Sequence, residues 1–599
     1  MKGRGAERTG SGSAVGVSRV GLSPYTQPRS LEHNAPFPLH FIVRVVLLAA
    51  QSVIAEASSC KCFPSEPCWP SAVEWESFNK TIDGKLIEAR PPGSVCYTSE
   101  PGYNQTACES IISNWTAADF QSSDPVSVGS AWTNNTCDPI YPNGTSIYGD
   151  APAQDKGCPL GGLSQYVVNV TDPSHIQSTL GFAKTRNIRL NIKNTGHSGA
   201  GRIWTHNLKH IEYHKTFQAQ GSSSNSSWKG SQQAVTIGAG VQGSDLFPVL
   251  EERNIVAVTG TSPDVGVVGW STGGGHGFLT GEYGMGADNI LEASIVTPAG
   301  DIVTANENQN TDFMTLLGIN IAARNATSSK AWWEVIAKLH GAFASAQENG
   351  LSGYYTIGGP PSSSTLTLAG SLFLWNQPQN ASTKITSPLE RVLSAANGTV
   401  YFSITPIPIS SFFDVVKLYP SGSRSPSKAI TASRLTTKRA ITDEQELFSQ
   451  TLEEIGSRAF EPSDGTPNPS MSGTMTISHD PVDNSLNPAW RDAIVHLITE
   501  QSWDGSLPFS DVTRVVNEMT YGKLNALRRL APESGAYLNE ANTFEPGWQW
   551  SFYGQNYGRL RSIKDSYDPE GLLWCNQCVG SENWIQNQDG RFCRSYQPV

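Results

Sequence analysis

Asn194-Thr195-Gly196-His197-Ser198 and, further along, Gly273-Gly274-Gly275-His276-Gly277 are the two stretches on which the fold turns. The second is followed by Gly281-Glu282-Tyr283-Gly284 and Gly286-Ala287-Asp288. Two glycine-dense loops separated by strand-like runs bring main-chain amides close to a large phosphate-bearing ligand, because only glycine permits that approach. They predict a chain that holds a dinucleotide.

Outward from the first loop the pattern is β-α-β. Residues 166–170 read as a strand and residues 173–186 as an amphipathic helix capped by Thr171 or Asp172. Residues 188–192 read as a second strand that delivers the loop. Residues 235–240 end a strand on glycines, residues 243–253 predict a helix, and residues 255–258 a short strand entering the loop from Gly260 to Gly277. Residues 291–296 and 302–304 predict a hairpin turning at Pro298-Ala299-Gly300. Gly238-Ala239-Gly240 lacks the spaced third glycine and the distant acid of the Rossmann fingerprint, so the pocket is built differently. Beyond about residue 325 the chain predicts a helix over 330–349, strands over 354–357, 365–374, 399–404 and 472–478, and helices over 487–501, 512–530 and 558–567.

At 599 residues more than one domain is expected. The net charge of -11, with no basic cluster beyond Lys438-Arg439 and Arg528-Arg529, argues against nucleic acid. Residues 41–55 are the one membrane-grade run; it is too short to span and is followed by Ala55-Glu56-Ala57, a cleavage pattern. We expect a leader and signal peptide over 1–57, no stable membrane anchor, and a secreted, extracellular protein.

Asn-x-Ser/Thr sequons at Asn79, Asn104, Asn114, Asn134, Asn143, Asn169, Asn225, Asn325, Asn380 and Asn397 predict N-glycans. The 10 cysteines fall at the two ends of the chain, between Cys60 and Cys158 and between Cys575 and Cys593. In an oxidising compartment they predict disulfides that staple the ends, with connectivity left open. No metal site is expected: His206, His210 and His214 fall at helical spacing, but no further ligand motif follows them.

The residues from 166 to 301 resemble the FAD-binding domain of the vanillyl-alcohol-oxidase superfamily, in its secreted fungal, berberine-bridge-enzyme-like branch. The resemblance rests on Ile192-Lys193-Asn194-Thr195-Gly196-His197, Ile203-Trp204-Thr205-His206-Asn207-Leu208, the Gly238-Ala239-Gly240 turn, Pro263 with Val265-Gly266, the glycine run, and Asn556-Tyr557-Gly558-Arg559-Leu560 with Tyr567-Asp568-Pro569. It covers most of residues 60–599. It implies an α+β fold: a two-part FAD-binding domain of the vanillyl-alcohol-oxidase type with an inserted α/β substrate domain, an antiparallel sheet covered by helices. The expected divisions are a Cys-rich extension over 58–150, the PCMH-type FAD-binding domain over 151–320, the substrate domain over 321–545, and a berberine-bridge-like segment over 546–599 that completes the FAD domain.

The resemblance also implies that His197 carries FAD covalently through its imidazole, a competent nucleophile near neutral pH. Where relatives place a second-linkage cysteine this chain has Ser262, so a single covalent link is expected. Main-chain amides of Thr195, Gly196, His197 and Ser198, of Val265, Gly266 and Gly269, and of Gly273, Gly274, Gly275 and Gly277 are implied to cradle the cofactor. Val296 completes the adenine side, and Asn556 and Tyr557 close over the flavin. The segment 535–540 resembles a strand that places catalytic residues above the ring. Strict alternation would turn Tyr537 and Asn539 one way and Leu538 and Glu540 the other, leaving Tyr537 and Glu540 as rival catalytic bases.

The chain departs from this pattern in two places. After Asn310-Thr311-Asp312-Phe313 relatives continue into a glycine-rich flavin-lining strand, whereas here residues 314–321 already resemble the first substrate-domain strand. The loop after His197 is also short. At least the first gap is expected to be an exon or splice error. The function expected is that of a secreted FAD-dependent oxidase or dehydrogenase. It takes a hydride from a small alcohol, amine, secondary metabolite or oligosaccharide and passes the electrons to O2. The alternative is a flavin-free glycoprotein that keeps the scaffold for binding.

Overall fold

The cofactor half begins where the N-terminal extension pairs into it. The computed structural model describes residues 60–595 apart from 116, 128–136, 141–145, 148–149, 162, 197–202, 218–231, 307–313, 326, 376–380, 408–414, 416–427, 463–465, 504–506 and 588–590. The expected leader, residues 1–57, lies outside the described residues, as do His197 and Ser198. The extension, expected to be loop-heavy, holds helices Ala72–Thr81, Gln105–Asn114 and Ala118–Ser123. The first is closed by a capping box, the Ser71 side chain accepting from Glu74 N while the Glu74 carboxylate accepts from Ser71 N at 2.8 Å.

Strand β1 (Leu86–Glu88) pairs antiparallel with β2 (Tyr166–Asn169), making the extension part of the cofactor sheet. Strands β3 (Ile192–Lys193) and β4 (Ile203–Trp204) extend that sheet in parallel, in the order β1-β2-β4-β3. Helix Pro173–Thr185 crosses between β2 and β3. Asp172 caps it, accepting from Ser174 N at 2.9 Å, and Pro173 stands where no amide hydrogen is needed. Of the strand expected over 188–192 only its end is laddered; Leu190 bridges Leu573 of the C-terminal segment instead. Strands β5 (Ile211–Phe217) and β6 (Gln232–Ile237) form one antiparallel pair. β7 (Glu292–Val296) and β8 (Ile302–Asn306) form the expected hairpin, with Gly300 at φ +91°. Residues 255–258 form no strand; Ile255 N closes back on Leu250 O at the end of helix Gly243–Glu252.

The second half is a seven-stranded antiparallel sheet. Its strands are β9 (Met314–Ala323), β10 (Leu351–Gly358), β11 (Thr367–Trp375), β12 (Val400–Ile407), β13 (Ala429–Thr437), β14 (Ser470–Thr474) and β15 (Ala493–Ser502), in the order β12-β9-β11-β10-β14-β15-β13. Helices Ser329–Gln347, Ala381–Ala395 and Gln445–Ile455 lie against one another over it. The largest apolar core forms between helices and sheet, around Trp332, Trp333, Phe343, Tyr355 and Phe448. This is the α+β arrangement expected.

One element differs in kind. Residues 487–501, read as a helix, are a 3-10 turn (Pro488–Asp492, capped by Asn487) followed by β15. The strand is buried on both faces, with Ile494, Val495, Leu497 and Thr499 all inside, so its sequence lacks the alternation that marks a half-exposed strand.

Disulfides join Cys60 to Cys593, Cys62 to Cys68, Cys96 to Cys108, Cys137 to Cys158, and Cys575 to Cys578. The first ties the two ends of the described chain together; the others close short loops. Among the described residues no helix is long and apolar enough to cross a membrane. Short strands β16 (Trp584–Gln586) and β17 (Phe592–Arg594) complete the C-terminal segment.

Candidate active site

Three parts of the chain meet at the Glu540 carboxylate. The glycine loop supplies His276, whose Nε2 lies 3.0 Å from Glu540 Oε1. The substrate sheet supplies Tyr354 from β10, with its hydroxyl 3.2 Å from His276 Nδ1, and His496 from β15, with Nδ1 3.4 Å from Glu540 Oε2. The C-terminal segment supplies Glu540 itself and Tyr537, whose ring stands edge-on to His276 at 5.2 Å.

The segment 535–540 is not the strand expected. Gly535 O accepts from Leu435 N, and Ala536 N donates to Ser551 O. After Tyr537 the backbone tightens into a 3-10 turn, Leu538–Glu540, with Glu540 N donating to Tyr537 O at 3.0 Å. The turn cancels strict alternation, so Tyr537 and Glu540 both face His276 rather than opposite sides. They differ in state. Tyr537 is buried, its hydroxyl donating toward Trp270 O at 3.4 Å and accepting from Asn539 Nδ2 at 2.8 Å. Burial and the neighbouring Glu540 charge push the phenol up, away from a phenolate. Burial also works to raise the Glu540 carboxyl, but His276 and His496 outweigh it and hold the group well below the usual carboxylate range. About a third of the Glu540 side chain (34%) is exposed, although its Oε2 is buried.

His496 is fully buried, and burial lowers its imidazole. Neither of its nitrogens, nor Glu540 Oε2, has a hydrogen-bond partner, so the 3.4 Å approach is a polar contact short of a hydrogen bond. A partly exposed carboxylate gripped by an imidazole N–H, beside a second, neutral imidazole, is equipped to accept a proton. In the sequence His276 is marked only by its place in the glycine run, and His496 and Tyr354 by nothing. They sit in strands and a loop whose local patterns carry no mark of catalysis.

Elsewhere the structure tests how a flavin cofactor would be received. Beside Gly266 the side chain of Asn194 is buried with both amide atoms unpartnered, and Ser262 Oγ is likewise buried and unpartnered. A Cβ on Gly266 would lie 2.2 Å from Asn194 Nδ2, so this backbone must be glycine for the amide to sit there. Gly269 has nothing within 4 Å of its Cβ position, and Val265 N donates to Ser262 O.

Gly196, at φ +83°, rides over Lys193, which is buried and donates to Gln121 O (3.0 Å) and Asp124 O (2.5 Å), fastening the extension beneath the loop. Burial pushes the Lys193 ammonium down to about 8. Thr195 is buried beside it. Unmet polar atoms facing glycine backbone fit a polar, phosphate-bearing cofactor.

The other residues expected at the cofactor have protein neighbours. The glycine run is covered by the protein's own side chains: Asn539 at Gly273, Leu486 at Gly274, Trp270 at Gly275, with Thr259 O against Gly277. These glycines let the loop pack on Trp270, whose Nε1 donates to His276 O at 2.7 Å and so sets the direction of that histidine. Asn556 Nδ2 donates to Leu486 O at 2.8 Å, and the Tyr557 hydroxyl donates to Glu582 at 2.6 Å, neither joining the Glu540 group. Val296 packs against the cofactor-half core. Of the three spaced histidines, His206 stacks on Trp204, His210 lies 3.5 Å from Glu212, and His214 bonds Thr236, with no shared helix face. Burial, with Lys209 and Lys193 adding, pushes His206 down to about 4.

Residues 164–306 match the FAD binding domain family, and residues 536–580 the berberine and berberine-like family. The chain is 31% identical to an FAD-linked oxidoreductase of Hypocrea jecorina, covering 90% of this chain and 94% of that one. It is 30% identical to an uncharacterized FAD-linked oxidoreductase of Arthroderma benhamiae, covering 90% and 96%. A crystal structure of a VAO-type flavoprotein from Myceliophthora thermophila superposes with a TM-score of 0.81 at 29% identity, over 90% of this chain and all of the other.

Proposed function

The chain belongs to the FAD-linked oxidoreductases of the vanillyl-alcohol-oxidase type, and from that premise we propose a secreted oxidase that takes a hydride from a small alcohol, amine, secondary metabolite or oligosaccharide, with Glu540 as the base. One observation carries the choice of base. Glu540 is the carboxylate on which the glycine loop, the substrate sheet and the C-terminal segment converge, and it is held ionised, whereas burial keeps the Tyr537 phenol protonated.

FAD, when bound, would supply the two-electron acceptor, with O2 as the oxidant this reading proposes for it. Thr195, Gly196, Ser198, Ser262, Val265, Gly266 and Gly269 would hold it, with the Asn194 amide meeting its polar edge and His197 carrying the covalent bond. The protein's own share is to hold the substrate hydroxyl or amine against Glu540 and to remove its proton as the adjacent C–H bond gives up its hydride. An alcohol thereby becomes a carbonyl compound. The same reading places the protein outside the cell, with N-glycans on its sequons. Five disulfides among the described residues support that, since such pairs persist in oxidising compartments.

The test is to express the protein as a secreted product, precipitate it with acid, wash, and scan the visible spectrum. Flavin bands that stay with the pellet in the wild type and leave it in His197→Ala are the expected result. A colourless pellet from a folded protein would overturn the reading in favour of a flavin-free binding scaffold. A panel of benzylic alcohols, amines and gluco- and chito-oligosaccharides, read by peroxide release, then assigns the substrate.

A further inference from the structure

The Glu540 carboxylate is not held by one partner but by a chain of them that crosses between the halves of the molecule. Thr476, fully buried just past β14, donates through Oγ1 to the Tyr354 hydroxyl at 2.9 Å. Tyr354 faces His276 Nδ1 at 3.2 Å, and His276 Nε2 faces Glu540 Oε1 at 3.0 Å. An ionised carboxylate only accepts, so Nε2 must carry the proton in the last contact. The Thr476 hydroxyl fills one acceptor position on the Tyr354 oxygen. In a neutral imidazole with its proton on Nε2 the Nδ1 is bare, so the Tyr354 O–H is the donor of that contact.

We infer that Tyr354 and His276 are positioning residues for Glu540: the tyrosine fixes the imidazole in its Nε2–H tautomer, and that N–H anchors one carboxylate oxygen so that the group stands aimed for its proton. The inference rests on the reading of Glu540 as the base, and it gives the substrate domain a part in setting that base.

Other groups face the relay as well. Tyr537 meets His276 from the C-terminal segment at 5.2 Å, Trp490 from the turn before β15 at 6.4 Å, and His496 meets Glu540 from β15. Trp270 fixes the His276 carbonyl from below. Burial keeps Tyr537 protonated and His496 neutral, so neither competes with Glu540 as the proton acceptor. During turnover the substrate proton passes to Glu540 while the His276 Nε2–H stays in place. The imidazole therefore supports the carboxylate without itself gaining a proton, as an orienting group supports a base.

Histidine-selective 15N labelling of the flavin-loaded, secreted protein tests this without any substrate. The His276 resonances are those lost in His276→Gln. At pH 7.5 we expect them to report a neutral Nε2–H tautomer, and in Tyr354→Phe, which removes a single oxygen, a mixture with the Nδ1–H form. Activity on whichever compound the peroxide panel assigns adds a second readout. His276→Gln keeps an N–H near the Nε2 position and should retain most of kcat. His276→Leu should lose on the order of 10²-fold, the loss expected when a reacting group is misplaced, and should move the acidic limb of the pH profile upward, because Glu540 loses the donor that holds it ionised.

A doubly protonated His276 in the wild type, a tautomer unchanged in Tyr354→Phe, or a His276→Leu profile superimposable on that of His276→Gln would overturn the inference. The base reading fails separately. If Glu540→Gln turns over like the wild type, Glu540 is not the base, whatever tautomer His276 shows.

Discussion

At the scale of single residues, burial rather than residue type decides what each histidine can do. His340 is fully buried on the helix Ser329–Gln347, its Nδ1–H donating to Ile336 O at 2.8 Å and its Nε2 meeting the Tyr355 hydroxyl. Burial outweighs the hydrogen bond to Ile336 and pushes the group from 6.5 down to about 4. Because the folded value lies below the unfolded one, the unfolded chain takes up the proton first as pH falls. The contribution to stability is whole above about pH 6.5 and is lost progressively down to about pH 4. At about 1.4 kcal/mol per pH unit the loss is roughly 3 kcal/mol. Urea unfolding at pH 7 and pH 4.5 should show His340→Phe losing less stability over that interval than the wild type by about that amount; parallel losses would reject the account. At the same scale the identities of Glu540 and Tyr537 were legible from the segment they occupy. Their convergence on His276 was not, because it depends on a 3-10 turn whose approach, at Gly535 and Ala536, is anchored by Ser551 and by Leu435, the latter remote in sequence.

At the scale of elements, close packing between neighbouring strands fixes the sheet that carries Tyr354 and His496. Gly473 in β14 lies opposite Tyr355 in β10, and a Cβ there would fall 2.0 Å from the Tyr355 ring. The ring is fully buried in the main core and cannot swing aside. Gly473→Ala should therefore destabilise the protein by about 1–3 kcal/mol through overpacking, seen as a lower urea midpoint. Substitution at Gly358, whose Cβ position is open, should cost much less. Helices were read well where a cap and an apolar stripe coincide, as at Asp172 for Pro173–Thr185 and Ser328 for Ser329–Gln347. The strand β15 was misread because residues inside on both faces show no period of two, and a continuous apolar run leaves helix and strand undecided. That misreading hid His496.

At the scale of the whole molecule, the two ends of the described residues are part of one structure. The Cys60–Cys593 bond spans 533 residues, and Lys61 N donates to Phe592 O alongside it. The same C-terminal region contributes Leu573, which bridges Leu190 just before the loop of Asn194. Cys593→Ser should lower unfolding stability by about 2–5 kcal/mol, the usual cost of losing a native disulfide, and a denaturant midpoint unchanged from wild type would show the bond to be idle.

What the sequence alone determined is the kind of protein: the two glycine loops, the Asn-Thr-Gly-His run and the terminal Asn-Tyr and Asp-Pro signatures specify an FAD-linked oxidoreductase and an α+β architecture. These are local signals, because a glycine is needed wherever backbone must approach a ligand or an aromatic ring, and a cap wherever a helix begins. What only the tertiary structure decided is the chemistry at the centre. Glu540, His276, Tyr354 and His496 are scattered from residue 276 to residue 540 and become one group through the antiparallel register of β10, β14 and β15. The packing of the glycine loop on Trp270 completes it. The two imidazoles that hold Glu540 ionised against its burial, and the burial that keeps Tyr537 a phenol, are properties of that assembly and of no short stretch of chain.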